Sequence, residues 1–269
     1  MIYDYGFADK IPDNGNIGVL VSGGTDSAIA LYLLCEYITK NKLTDKTTIY
    51  PLHGVDRKRR PTSVWDAYEI INFCKNAFPN IDFFETLVWD NMQIRGVFDS
   101  DFEPFDVWNE TEKDQPNHHR GWIKTISKRQ IDGRKTTQLL KWTSVKLLIS
   151  GLTRNPPNEV IEKFYMPSQK FQADRSNFDV KEICSKQQSD DWTFYKYQPF
   201  INEDKRYVAN LYKQYNLLET LFPLTASCIA QKGEVLSSGK VHDFSEPCRE
   251  CFWCNEKHWA FGMYDGGVK

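Results

Sequence analysis

The sequence predicts an α/β protein: a parallel five-stranded sheet flanked by helices, followed by a small cysteine-rich, metal-binding C-terminal region. Short β-rich runs alternate with helix-length apolar segments, a pattern that argues for parallel strands with helices on the sheet faces. The first of these units places a glycine pair, Gly23 and Gly24, between its strand and its helix. At the other end Cys248, Cys251 and Cys254 lie within seven residues, with Cys228 upstream.

"NIGVLVS" (16–22) reads as the first strand, and "SAIALYLLCEYITK" (27–40), apolar around much of its surface, as the helix after it. "TTIYPLHGV" (47–55) is a second strand. "SVWDAYEIINFCKNAF" (63–78) spaces Val64, Ala67, Tyr68, Ile70, Ile71 and Cys74 at helical intervals, behind Pro61 and an N-cap at Thr62 or Ser63. "IDFFETLVW" (81–89) is a third strand. Residues 91–134 mix charged and amide residues with Trp and keep no period, so an insertion or lid is expected there. The pattern resumes with a helix and the buried strand "KLLISGL" (146–152), stopped by Pro156 and Pro157. "FYMPSQKFQADRSNFD" (164–179) reads as irregular and "WTFYKYQPF" (192–200) as a fifth strand. "NEDKRYVANLYKQYN" (202–216) is an amphipathic helix with acidic residues in its first turn, as the helix dipole favours. Residues 1–220 are therefore expected to form one α/β domain and 221–269 a loop-rich tail.

Composition narrows the class. The chain has 269 residues, 41% hydrophobic and 26% charged, as in ordinary soluble globular proteins. A formal charge of −2 and a pI near 6.2 give no global basic footprint, so neither a nucleic acid nor an anionic membrane is expected as the direct partner. No apolar run reaches the roughly 18 residues that span a bilayer. The start, "MIYDYGFADKIPDNG", lacks the basic and apolar regions of a secretory signal, so the expected compartment is cytoplasmic. Cysteines there do not build disulfide frameworks, and Cys35, Cys74 and Cys184 read as small hydrophobes.

A strand, a glycine turn and a helix make an anion site on physical grounds. The glycines allow close backbone approach, and the first-turn N–H groups point outward at the positive end of the helix dipole. Ser22, Thr25 and Ser27 offer hydroxyls. Asp26 would repel phosphates unless a divalent cation such as Mg²⁺ intervened. The run is not a Walker A loop, since it lacks the lysine of that motif. "SGGTDS" resembles the SGGxDS signature of the PP-loop, or N-type ATP pyrophosphatase, superfamily. That resemblance implies an ATP site at Leu20, Val21, Ser22, Gly23, Gly24, Thr25, Asp26 and Ser27, with attack on the α-phosphorus and loss of pyrophosphate. The plainer alternative is a polar-capped turn with no ligand.

Four thiols at Cys228, Cys248, Cys251 and Cys254 can surround one ion. Zn²⁺ accepts four thiolates at about 2.3 Å in a closed, structural site. An iron–sulfur cluster also uses closely spaced cysteines. His242 and His258 flank the group and could replace one sulfur, although a core or surface role suits them better.

An SGGxDS loop followed by "TASC" and "CRECFWC" resembles the 7-cyano-7-deazaguanine synthase (QueC) family. "PFINEDKRYVANLYKQYNLLETLFPLTASC" resembles the stretch in which that family carries a lysine-bearing helix before its first cysteine. "CNEKHWAF" resembles its C-x2-R-x2-A-F ending, with Lys257 at the arginine position. The resemblance implies ATP-dependent conversion of 7-carboxy-7-deazaguanine and ammonia to a nitrile through adenylated intermediates. Ser22, Asp26 and Lys205 would be the catalytic residues, and ATP, Mg²⁺ and Zn²⁺ the cofactors. The partners would be a deazapurine carboxylate and ammonia, with a homodimer as the one protein assembly to test. The chain departs from the family at "LHGVDRKRR", in the long Cys228–Cys248 spacing (expected to hold an added hairpin) and in the 91–134 insertion. A different acceptor or amine, a tRNA-thiolating PP-loop enzyme, or a non-catalytic nucleotide-binding relative are the alternatives.

Other residues carry weaker signals. "DRKRRP" (56–61) follows a strand end, where open α/β sheets bind ligands, and could hold pyrophosphate or a carboxylate, meet nucleic acid, or be a solvated loop. His118 and His119 read as surface imidazoles. Arg154 and Asn155 in "GLTRNPP" end a strand and are candidates to face the substrate. Lys205, near another strand end, could offset charge on the α-phosphate.

Overall fold

The alternation becomes one eight-stranded sheet. The computed structural model describes residues 11–12, 15–55, 63–90, 123–125, 140–141, 143–165, 175, 181–189, 192–230 and 232–268. In chain order these form β1 (Asn16–Leu20), α1 (Thr25–Lys40), β2 (Thr48–Val55), α2 (Ser63–Ala77), β3 (Asp82–Phe83), β4 (Thr86–Asp90), β5 (Ile123–Thr125) and β6 (Leu147–Ser150). There follow α3 (Asn158–Ile161), β7 (Cys184–Ser189), β8 (Trp192–Tyr197), α4 (Lys205–Gln214) and α5 (Phe252–Phe261). Single 3-10 turns lie at Thr44–Lys46, Phe222–Leu224 and Asp265–Gly267. The strand order is β5-β4-β2-β1-β6-β8-β7, with the short β3 beside β2.

The five expected strands are the central parallel set, β4-β2-β1-β6-β8. The sheet is wider than expected for three reasons. The third expected strand divides where Phe84 donates its N–H to Ile49 O (2.8 Å), leaving β3 and β4 as separate pieces. β5, within the expected insertion, adds a parallel edge strand to β4. Among the described strands β7 alone runs antiparallel, paired along its length with β8. Its sequence, "CSKQQS", carries no apolar alternation because it lies at the sheet edge.

Alternation along each strand sorts the core onto two faces. Ile17, Val19, Ile49, Leu147 and Ile149 meet α1, α2 and α4 in the larger cluster, which also takes in Phe222 and Phe261 from the tail. Leu52, Val145, Leu148 and Phe194 form a smaller cluster on the opposite face. Sequence analysis placed acids in the first turn of the helix at 202–216, but α4 begins at Lys205 with no acid there. Asp204 is instead its N-cap, accepting the Arg206 N–H at 2.9 Å. The tail is not all loop: it contains α5, and residues 233–242 form a hairpin closed by the Val235–Val241 bridge. The basic run 56–60, Pro61, Thr62, His118, His119 and most of 91–134 and 164–179 lie outside the described residues. Among the described residues no helix is long and apolar enough to cross a membrane.

Candidate active site

β1 lies between β2 and β6, so the strand order reverses at its edge, and open α/β sheets bind ligands beyond the strand C-termini at such a point. The glycine loop occupies that position. Its floor is fixed by the backbone: Val21 N–H donates to Leu52 O (2.8 Å), and Val21 O lies 2.6 Å from His53 Nδ1. A carbonyl only accepts, so Nδ1 carries the proton and Nε2 faces Ser63 Oγ at 3.1 Å. Leu20 and Val21 thus support the loop through the sheet. Gly23 has φ +82°, a conformation that favours glycine.

The loop's hydroxyls differ in role. Ser27 Oγ accepts the Ser22 N–H (3.1 Å) and donates to Gly24 O (3.0 Å); Thr25 Oγ1 donates to Asp26 Oδ1 (3.2 Å). Both residues are buried and close the loop on itself, whereas Ser22 is exposed at its mouth. Gly24 is the N-cap of α1 and no side chain caps it. The Thr25, Asp26 and Ser27 N–H groups therefore have no acceptor within the helix.

Asp26 stands at the centre of a half-buried charge cluster assembled from distant parts of the chain. Lys205 Nζ donates to its Oδ2 at 2.7 Å, and Thr153 Oγ1 does so at 3.3 Å. Lys205 Nζ is also 3.6 Å from Glu256 Oε2. Glu256, wholly buried on α5, accepts Arg175 Nη2 on Oε1 at 2.6 Å. Arg175 further donates to Asn155 Oδ1 (3.1 Å) and to Thr153 Oγ1 (2.8 Å). Two carboxylates and two cations balance, as charges removed from water require. Tyr212 OH donates to Thr25 O at 3.0 Å and so joins α4 to the first turn of α1; burial pushes its hydroxyl pKa well up.

Of the two residues expected to face a substrate, Asn155 is brought into this cluster through Arg175, with its side chain buried. The Arg154 side chain is exposed, and its backbone N–H donates to Glu203 O at 2.9 Å. Just before them, Gly151 lets the end of β6 reach the first turn of α1: a Cβ there would lie 2.2 Å from Asp26 O. Gly151→Ala is expected to displace Asp26 and Thr153, since the clash is with backbone, at a cost of about 1–3 kcal/mol. A melting curve beside the wild type checks this.

In the tail, the Sγ atoms of Cys228, Cys248, Cys251 and Cys254 lie within 4.8 Å of one another and could hold a metal ion. The two histidines stay out of the group. His242 is buried edge-on to Phe244, and His258 stacks on Tyr264 at 4.5 Å. Backbone donors serve the sulfurs: Cys248 N–H points to Cys228 Sγ (3.3 Å), Cys251 N–H to Cys248 Sγ (3.3 Å) and Cys254 N–H to Cys251 Sγ (3.4 Å). Arg249, at φ +63°, turns the chain between Cys248 and Cys251. Hydrogen bonds from the other three thiols push the Cys248 pKa far down, while the Cys251 and Cys254 pKa values rise beside their neighbours. Four thiols this close cannot all ionise unless a cation sits among them.

The tail is fastened to the loop. Ala226 N–H donates to Gly23 O at 2.9 Å. Lys257, fully buried, reaches Thr225 O and Oγ1 (2.9 Å each) and Asp265 Oδ1 (2.6 Å), and lies over the Phe222 ring. Asp265 also accepts the Ser227 and Cys228 N–H groups at 2.8 Å. Burial alone would raise the Asp265 pKa; the Lys257 charge and these donors together hold it below the usual range. Burial lowers that of Lys257, against the pull of Asp265.

Sequence reasoning missed Thr153, Arg175, Glu256 and Asp265. Thr153 precedes the flagged Arg154 at the same strand end. Glu256 is next to Lys257 on α5, and a helical reading of "CNEKHWAF" would have set it on the buried side. Arg175, alone in an aperiodic stretch, left no signal.

No protein-family model and no curated protein sequence matches the chain. Among solved structures it is similar to the U34-tRNA thiolase NcsA of Methanococcus maripaludis with its [4Fe-4S] cluster, at 13% identity and a TM-score of 0.40, over 78% of this chain and 59% of that one. It is also similar to the FMN adenylyltransferase of Candida glabrata in complex with FMN and an ATP analogue, at 12% identity and a TM-score of 0.41, over 100% of this chain and 70% of that one. The chain thus spans 59% of the thiolase's length. Likeness at this level carries neither a family nor a chemistry across to this chain.

Proposed function

We propose that the chain is an ATP-dependent enzyme of the PP-loop type that adenylates a carboxylate and passes it to an amine, with 7-carboxy-7-deazaguanine and ammonia as the first pair to test. One observation carries the reading: Lys205, 179 residues away in sequence, reaches Asp26 of the SGGxDS loop at 2.7 Å, beside uncapped N–H groups at a sheet switch point. The plainer alternative, a polar-capped turn, is disfavoured because no side chain caps the first turn of α1. The loop's N–H groups would bind phosphate oxygens, and Ser22 would add a hydroxyl at the mouth. Asp26 is the residue that would hold Mg²⁺, which when bound offsets phosphate charge. Lys205 would offset the charge that develops during displacement at the α-phosphorus. A carboxylate oxygen leaves poorly; adenylation makes it a good leaving group, AMP, which ammonia then displaces.

The tail supports a structural zinc site. Four thiolates around one tetrahedral ion at 2.3 Å stand about 3.8 Å apart, and Cys248 Sγ to Cys254 Sγ is 3.9 Å. In an iron–sulfur cluster the four cysteines are divided among two or four irons, so cysteines on different irons need wider spacing than sulfurs that all lie within 4.8 Å. Elemental analysis is expected to give about one zinc per chain and no iron; a brown protein would contradict it. The substrate assignment is tested by incubation with ATP, ammonium and 7-carboxy-7-deazaguanine under mass-spectrometric readout. Formation of the amide or nitrile is expected. ATP consumed with other carboxylates but never with this one would remove the deazapurine from the reading.

A further inference from the structure

Lys205 has two acceptors within reach and uses one. Its ammonium sits 2.7 Å from Asp26 Oδ2, while Glu256 Oε2 waits 3.6 Å away. Glu256 is wholly buried, and that oxygen has no hydrogen-bond partner among the described residues, although Oε1 is taken by Arg175. A buried carboxylate oxygen left without a donor is costly. Arg175 cannot supply the missing bond by turning, because Thr153 and Asn155 hold its other nitrogens.

Asp26, by contrast, has little left to offer a second cation. Its Oδ2 accepts from Lys205 and Thr153 and its Oδ1 from Thr25, so one lone pair of Oδ1 stays open. A divalent cation bound there would share one carboxylate with an ammonium 2.7 Å from Oδ2 and repel it. The lysine's flexible stem allows a short swing away.

We infer that Glu256 is a positioning residue, the second seat of Lys205: when Asp26 turns to a divalent cation, the ammonium moves onto Glu256 Oε2. This rests on the nucleotide and Mg²⁺ reading of the loop. The transfer keeps both charges paired throughout, so the cation enters without stranding a buried lysine. It also holds the ammonium beside the loop instead of releasing it to solvent. Proton count does not change, and no bond other than hydrogen bonds breaks or forms.

Glu256→Gln retains the shape but removes the charge that receives the ammonium. Lys205 then stays on Asp26 and competes with the cation. Calorimetric titration of Mg²⁺ into protein carrying α,β-methylene-ATP is expected to show half-saturation raised about tenfold in the variant, with affinity for the metal-free analogue no lower than in the wild type. A variant that melts earlier but takes up Mg²⁺ as the wild type does would overturn the transfer. Should the variant fail to fold, a wild-type crystal with Mg²⁺ and the same analogue decides. Lys205 Nζ is expected within hydrogen-bond distance of Glu256 Oε2 and off Asp26. The ammonium still on Asp26 with both ligands at the loop would overturn the transfer alone. Failure of nucleotide and cation to bind there at all would overturn the transfer together with the nucleotide reading.

Discussion

Asp26→Asn is expected to lower conversion of ATP to AMP about a thousandfold, the scale of losing a principal electrostatic contact in the transition state. The substitution keeps the side chain's size and its place in the first turn of α1. It removes the charge that would hold Mg²⁺ and that now pairs with Lys205 at 2.7 Å. The fold is expected to survive, because Lys205 retains Glu256 at 3.6 Å and Tyr212 still ties α4 to Thr25 O. A cost of about 2 kcal/mol, or a fall in Tm of roughly 4–8 °C, covers the weakened pairing. Initial rates with the purified variant, beside its melting curve, check both halves. Undiminished turnover would remove Asp26 from the chemistry, and a protein that no longer folds would make it structural.

The largest stability effect belongs to the cysteine tail. Stripping the proposed zinc, or Cys251→Ser, is expected to lower Tm by about 10 °C or more, since structural zinc supplies folding free energy directly and each kcal/mol moves Tm by about 2–4 °C at this size. Cys251 is the N-cap of α5 as well as a ligand candidate, accepting the Cys254 N–H, so its loss also uncaps that helix. Nucleotide affinity measured well below the melting point should change less than about threefold, because the uncapped N–H groups of Thr25, Asp26 and Ser27 belong to α1 and not to the tail. Phe252 and Phe261 remain to dock α5, the latter in the main core. Thermal melts with and without a chelator, paired with binding of an ATP analogue, separate the two effects. A tail whose melting ignores both chelator and substitution would hold no metal of consequence.

The central parallel strands, α1, α2 and the loop were legible because each rests on local rules: alternation, helical spacing and glycine at a strand–helix turn. Elements that break those rules were not. β7 is polar because it is an edge strand, and β5 sits in a stretch without period. α5 was hidden by its own chemistry, since Glu256 and Lys257 are charged yet buried and blur any apolar stripe. The same holds for the site. The SGGxDS run and the cysteine spacing could be read from single stretches. The charge cluster could not, because Asp26, Thr153, Arg175, Lys205 and Glu256 meet only after the sheet and tail are assembled. Asp26 and Lys205 were singled out; Thr153, Arg175 and Glu256 were not.

Activation of a nucleotide at this loop is tested most directly by the phosphorus products. ³¹P NMR of the enzyme with Mg-ATP, 7-carboxy-7-deazaguanine and ammonium should show AMP and pyrophosphate rising together, with neither in the Asp26→Asn variant. ADP and inorganic phosphate in their place, or ATP left intact with every carboxylate offered, would contradict displacement at the α-phosphorus.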